Sequence, residues 1–184
     1  MRLESVQITD LRCLRNVEFL VPSAGVWLVG PNGAGKTSVL EGLCLLGFGR
    51  SFRGRVAEGL LRQGSEALEV VARWTDETGR CRVSGLRHRG DSWEARQDGC
   101  ALGSLSELAA TFPVLCFHPL STQMITGPAE ERRRTLDWLA FHVEPRFAEF
   151  TRRYARAQGD CRRRRIRCPV CRRRQRHRTR YHRR

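Results

Sequence analysis

Gly30-Pro31-Asn32-Gly33-Ala34-Gly35-Lys36-Thr37 fits the spacing G-x-x-x-x-G-K-[ST] at every position, and its reading decides the fold. A nucleotide phosphate is met by several backbone N–H groups at once, and bulky residues would block that approach. Gly30, Gly33 and Gly35 let the backbone curl into a phosphate nest that opens onto the positive end of a helix. Lys36 can then reach the β/γ-phosphates as a point charge, and the Thr37 hydroxyl is placed to ligate Mg²⁺. Pro31, Asn32 and Ala34 complete the loop. Lys36 is the only lysine among 34 Lys and Arg residues, so a chain that otherwise uses Arg keeps a compact ammonium at this position.

The flanks agree with a strand–loop–helix unit. Val26-Trp27-Leu28-Val29 is a short apolar run suited to a strand covered on both faces. After Lys36, Val39, Leu43 and Leu46 recur at helical spacing, with Leu40 and Cys44 widening the stripe. Upstream, Leu3, Val6 and Ile8 predict a first strand, and Val17, Phe19 and Val21 a second, with Asp10-Leu11-Arg12 breaking the pattern between them. Two strands feeding a strand, phosphate loop and helix predict an α/β fold with a mixed sheet.

Downstream, residues 66–102 read as an antiparallel β lobe: strands at 67–74, 81–86 and 92–97, the last closed by an Asp98-Gly99 turn. His88, between Arg87 and Arg89, is expected in a solvated loop. Leu105 and Leu108 point inward from a short helix over 102–110, and Pro113-Val114-Leu115-Cys116-Phe117 is a second buried-strand candidate. His118 follows at its C-terminal end, where a structural and a ligand-facing role both remain open. Thr126-Gly127-Pro128-Ala129-Glu130-Glu131 reads as a helix start with Thr126 capping and Leu136, Leu139 and Ala140 inward. Pro145 opens a last helix in which Phe147, Phe150 and Tyr154 share a packing face.

Composition bounds the remaining classes. With 184 residues and 40% hydrophobic content there is enough for one core. Of the net charge of +15, residues 161–184 supply 13 arginines and no acid, leaving +2 for residues 1–160. No apolar run approaches the roughly 18 residues a membrane span needs, and Met1-Arg2-Leu3-Glu4 begins no signal peptide, so a cytoplasmic protein without membrane contact is expected. Cys44 and Cys116 sit in apolar stretches and are expected as reduced, buried thiols.

Three segments together carry a resemblance: the P-loop, the loop Gly49-Arg50-Ser51-Phe52-Arg53, and the run Gly127-Pro128-Ala129-Glu130-Glu131-Arg132-Arg133-Arg134-Thr135-Leu136-Asp137-Trp138. The chain resembles the RecF family of bacterial repair ATPases, whose heads are of the ABC type found in structural-maintenance-of-chromosomes proteins. The resemblance covers residues 1–157. It implies a P-loop ATPase head with a mixed sheet and an antiparallel lobe, incomplete at its C-terminus. It further implies binding of ATP by Gly30 to Thr37, Mg²⁺ at Thr37, and binding of single-stranded or gapped DNA in recombinational repair and replication. The implied partners are RecO, RecR and a second copy that dimerises with ATP. Arg50, Arg53 and Arg132 to Arg134 match motif positions of unassigned role. The signature and acidic Walker B motifs of that family are not found in the chain, which therefore is expected to hydrolyse little ATP alone.

Residues 158–184 read as a disordered or out-of-frame Arg-rich tail. Within it Cys168, Cys171, His177 and His182 have zinc-ligand types, with a second spacing short for a finger and little apolar residue to pack around a metal. Two further classes stay open: a small P-loop kinase, and an Arg-rich protein binding nucleic acid through its tail.

Overall fold

The computed structural model describes residues 1–53, 59–117, 119–144 and 146–163. The chain divides into two units, Met1–Pro119 and Leu120–Arg184.

The first unit is built on a six-stranded sheet. Its strands are β1 (Arg2–Leu11), β2 (Leu14–Leu20), β3 (Ala67–Thr75), β4 (Cys81–Arg89), β5 (Ser92–Gln97) and β6 (Cys100–Ala101), in the spatial order β2-β1-β3-β4-β5-β6. Every described pairing is antiparallel. β1 pairs directly with β3, so the first two strands and the downstream lobe form one sheet where the sequence suggested two. Period-2 alternation sets its faces: Leu68, Val70, Ala72 and Trp74 are buried along β3, and Val6 and Ile8 along β1. The Asp98-Gly99 turn is present as expected, with φ of 52° and 83° at its two residues, the left-handed pair of a tight hairpin.

Helix α1 (Lys36–Phe48) and the short α2 (Leu105–Thr111) cover the apolar face. α1 buries Val39, Cys44, Leu45 and Leu46, while Leu40 remains about half exposed. α2 starts at a side-chain cap: the Ser104 hydroxyl accepts from the Glu107 N–H, and the Glu107 carboxylate accepts from the Gly103 N–H just before the cap. The core also holds a polar chain. Trp74 Nε1 donates to Ser84 Oγ at 2.9 Å and Ser84 Oγ donates to Gln97 Oε1 at 2.8 Å, so these buried polar groups are satisfied.

Two expected strands do not form. Residues 26–29 and 113–117 carry no strand, and Trp27, Val29 and Phe117 are 92%, 91% and 74% exposed. A strand exists only through ladder partners, and no described strand pairs with either run. Their apolar composition specifies what they would bury between neighbours, not where those neighbours come from.

His88 also departs from expectation: it lies on β4, buried, across from Trp93 of β5. The local sequence Arg87-His88-Arg89 looked solvated because its alternation places only the arginines outward.

The second unit contains α3 (Gln123–Thr126), α4 (Ala129–Val143) and α5 (Phe147–Arg163). α4 starts where expected, but Pro128 occupies the N-cap and the Thr126 hydroxyl donates back to the Thr122 carbonyl at 3.2 Å, so Thr126 does not cap it. Leu136 and Leu139 are exposed, contrary to the inward stripe read from their spacing; helical periodicity defines a face without supplying what covers it. Phe150 and Tyr154 are half exposed, and the Arg146 guanidinium lies 4.8 Å from the Phe150 ring centroid. α5 runs through Gln158, Gly159 and Asp160 to Arg163. His118, Pro145 and the candidate zinc ligands lie outside the described residues.

The close packing of α1 on residues 113–117 gives a direct test. A Cβ on Gly47 would stand 2.5 Å from Val114 Cβ and 3.1 Å from its backbone nitrogen, whereas one on Gly159, in α5, would meet nothing. Gly47→Ala is expected to destabilise the chain by about 1–3 kcal/mol through overpacking, and Gly159→Ala to be neutral or stabilising by up to about 1 kcal/mol. Thermal melts of the two variants read the contrast, and equal shifts would contradict this packing.

Candidate functional site

The P-loop joins the open segment at residues 26–29 to the N-terminus of α1. Gly33 and Gly35 adopt φ of 86° and 92°. At Gly35 a side chain is excluded twice: by that left-handed backbone, and because a Cβ would lie 2.4 Å from Leu14 Cδ2 and 3.1 Å from Cys13 Sγ. The turn between β1 and β2 therefore presses directly on the back of the loop. Ala34 N–H donates to the Pro31 carbonyl at 3.3 Å, and Val39 N–H to the Gly35 carbonyl at 3.0 Å, which opens α1. No side chain caps that helix start, so its first-turn N–H groups are left for an anion.

Lys36 Nζ donates to the carbonyls of Gly30 at 2.7 Å and Pro31 at 2.8 Å. These bonds draw the ammonium back across the loop and hold its charge over the nest. Thr37 is exposed beside it, whereas Ser38 is buried, 4.0 Å from Cys13 Sγ. Gly30, Pro31, Asn32, Gly33 and Ala34 are all exposed. Of the eight positions read from the sequence, Gly30 to Ala34 form an exposed loop, Gly35 is buried beneath it, and Lys36 and Thr37 begin α1.

A carboxylate that the sequence reading passed over lies just behind it. Glu41, one helical turn beyond Thr37 on α1, has no exposed surface. Arg12 grips it with both arms, Nε to Oε2 at 3.1 Å and Nη2 to Oε1 at 2.9 Å. The Ser51 hydroxyl donates to it, and Arg53 Nη1 stands 3.7 Å away. Burial pushes the Glu41 carboxyl upward, but the bonds from Arg12 and Ser51 and the charges of Arg12 and Arg53 outweigh this and hold it below the ordinary carboxylate value. The folded value being depressed, the pair's stabilisation is complete above the unfolded carboxylate's pKa and is lost as pH falls through the folded one. The signal available in sequence was a single acid inside the apolar run Val39-Leu40-Glu41-Gly42-Leu43.

Of the other candidate residues, Arg53 reaches this cluster and Arg50 is exposed. Arg132 donates to the Gly127 carbonyl at 3.0 Å and Arg133 pairs with Glu130 at 2.6 Å, both in the second unit. Cys44 is buried and Cys116 half-buried, both as free thiols, and burial together with the Cys116 thiol pushes the Cys44 thiol up. His88 stacks on Trp93 with ring centroids 4.2 Å apart and donates from Nδ1 to the Ser92 carbonyl. With Gly59, Leu60, Leu61, Gly90 and Asp91 these rings line a groove of about 450 Å³. Among the described residues no cluster of His, Cys, Asp and Glu could hold a metal by itself, and no helix is long and apolar enough to cross a membrane.

The AAA-domain family matches residues 5–133. The DNA replication and repair protein RecF of Xanthomonas euvesicatoria is 48% identical over 161 residues, covering 85% of this chain and 44% of that protein. RecF of Pseudoalteromonas atlantica is 36% identical over 157 residues, with 85% and 43% covered. The chain thus spans less than half the length of these relatives.

Among solved structures, the recombination mediator RecF with ATP in the RecFOR pathway superposes with a TM-score of 0.73 at 20% identity over 86% of this chain and 43% of that one. A chain from a study of ATP-driven dimerization and DNA-stimulated activation of SMC ATPases gives 0.57 at 18% identity, covering 76% and 99%. The fold is therefore that of a P-loop ATPase head of the RecF and SMC type, as the three sequence segments implied. With the family match over residues 5–133, the chain belongs to the AAA-domain family, and it is similar to RecF over the part of those proteins that it spans.

Proposed function

We propose that this chain is the nucleotide-binding head portion of a RecF-type protein, which binds ATP and acts on DNA in recombinational repair and replication. One observation carries the ATP reading: Lys36, the sole lysine, is held over a nest formed by Gly33 and Gly35 at the uncapped N-terminus of α1. An anion placed there meets backbone N–H groups, the helix terminus and an ammonium together. The relatives' name as DNA replication and repair proteins, and the ATP-bound RecF structure, support the wider reading.

In this reading Gly30, Pro31, Asn32, Gly33, Ala34 and Gly35 cradle the phosphates, Lys36 binds the β/γ-phosphates and Thr37 offers its hydroxyl to Mg²⁺. The residues present fit that ion in a limited way. Thr37 is exposed at the mouth of the loop and supplies one oxygen, and phosphate oxygens and water would complete the shell, as is usual for Mg²⁺. Bound there, the ion would neutralise phosphate charge. Residues 1–157 form the head portion and 158–184 an Arg-rich extension that binds nucleic acid without sequence preference. The DNA is single-stranded or gapped, RecO, RecR and a second copy are the partners, and the protein works in the cytoplasm. Binding with little turnover is expected of this chain alone.

Titration of the full chain with ATP and Mg²⁺ tests the reading. Lys36→Ala removes a charge-assisted contact worth about 1.5–3 kcal/mol, so affinity is expected to fall by roughly 10- to 100-fold with the melting midpoint unchanged. Equal ATP affinity in the two proteins would remove the P-loop assignment. For DNA, deleting residues 164–184 is expected to leave ATP binding intact and to flatten the dependence of DNA affinity on salt, since each phosphate neutralised contributes a slope of about −0.7 on single strands. A salt slope unchanged by the deletion would place the DNA contacts elsewhere.

A further inference from the structure

We propose that Glu41 is a positioning residue of the nucleotide site: its buried carboxylate holds the turn at residues 12–14 against the back of the P-loop and ties residues 51–53 to the same helix. The assignment rests on the nucleotide reading above. Glu41 has no exposed surface and cannot itself touch a nucleotide, so any effect it has on binding passes through other residues.

The route is continuous. Glu41 is gripped by Arg12 through two hydrogen bonds of 3.1 and 2.9 Å. Arg12 sits at φ 56°, a left-handed conformation unfavourable for a residue with a side chain, so it must be held from outside. Its backbone N–H donates to the Leu60 carbonyl at 2.8 Å and its Nη1 to the Gly59 carbonyl at 2.8 Å. The next two residues are the ones that bear on the loop. Leu14 Cδ2 fills the space where a Gly35 side chain would be, and Cys13 Sγ lies 3.8 Å from the Gly33 carbonyl. Gly33 and Gly35 are the two left-handed residues of the nest, so moving this turn moves the backbone that meets phosphate.

On its other side Glu41 accepts from the buried Ser51 hydroxyl, which in turn accepts from the Arg53 N–H at 3.0 Å. One carboxylate therefore ties the loop after α1 and the turn before the P-loop to the helix that carries Lys36 and Thr37. A salt bridge needed only for folding would not require this sharing. A buried ion pair can often be replaced by apolar residues of similar volume without loss of stability, whereas removing one partner is strongly destabilising. The double variant Arg12→Met/Glu41→Leu therefore separates stability from positioning.

The experiment measures ATP affinity and melting midpoint on the full chain for wild type, Lys36→Ala, Glu41→Gln and Arg12→Met/Glu41→Leu. It is paired with hydrogen exchange of the wild-type chain with and without ATP. Folded Glu41→Gln and the double variant are expected to bind ATP about tenfold more weakly or worse, because small displacements of positioning groups are costly. ATP is expected to slow exchange at residues 10–14. A double variant that melts as wild type and binds ATP within twofold of it would make Glu41 purely structural and overturn the assignment. If neither variant folds, exchange decides: unchanged protection at residues 10–14 overturns the assignment, and slowed exchange there supports it. ATP binding by wild type that does not depend on Lys36 overturns the nucleotide reading itself, and this assignment with it.

Discussion

A carboxylate with no access to water must be paired, and Glu41 meets that constraint by drawing three stretches of chain to one point. Arg12 comes from the end of β1, Ser51 and Arg53 from the loop after α1, and Glu41 from α1 itself. Without the pairing, Arg12 would be held in its left-handed conformation by its bonds to the Gly59 and Leu60 carbonyls alone, with Leu14, which backs Gly35, two residues on. The back of the glycine loop is thus met by contacts that do not involve phosphate.

The loop's front is the complementary case. Its backbone carries two left-handed glycines, its helix start lacks a side-chain cap, and its ammonium is held by two carbonyls of the loop. The uncapped N–H groups lack partners of their own, and an anion would meet them and the ammonium together. The chain's net positive charge lies elsewhere, in the arginines of residues 161–184, while residues 1–160 are nearly balanced. On the proposed function, nucleotide recognition by geometry and nucleic-acid attraction by bulk charge are separated along the chain.

What could be read from sequence was what is fixed locally. The P-loop, α1, the Asp98-Gly99 turn and the strands of the lobe all follow from dihedral demands or short-range periodicity. The strands expected at residues 26–29 and 113–117 were not legible in the same way, because a ladder needs a neighbour that no local pattern supplies. Leu136 and Leu139 fail for the same reason: spacing marks a stripe but not its cover. His88 was misread because its two arginine neighbours point outward and disguise an inward position on β4. Glu41 was missed because an acid in an apolar helix is informative only once the distant Arg12 is brought beside it.

Whether a nucleotide phosphate sits at Lys36 can be read chemically because of the chain's composition. Lys36 carries the only ε-amino group, so amine-selective acylation read by mass spectrometry reports on that site, with the Met1 amine as an internal control. ATP is expected to slow acylation of Lys36 strongly and to leave Met1 unaffected. Equal acylation of Lys36 with and without saturating ATP would contradict a phosphate at that site.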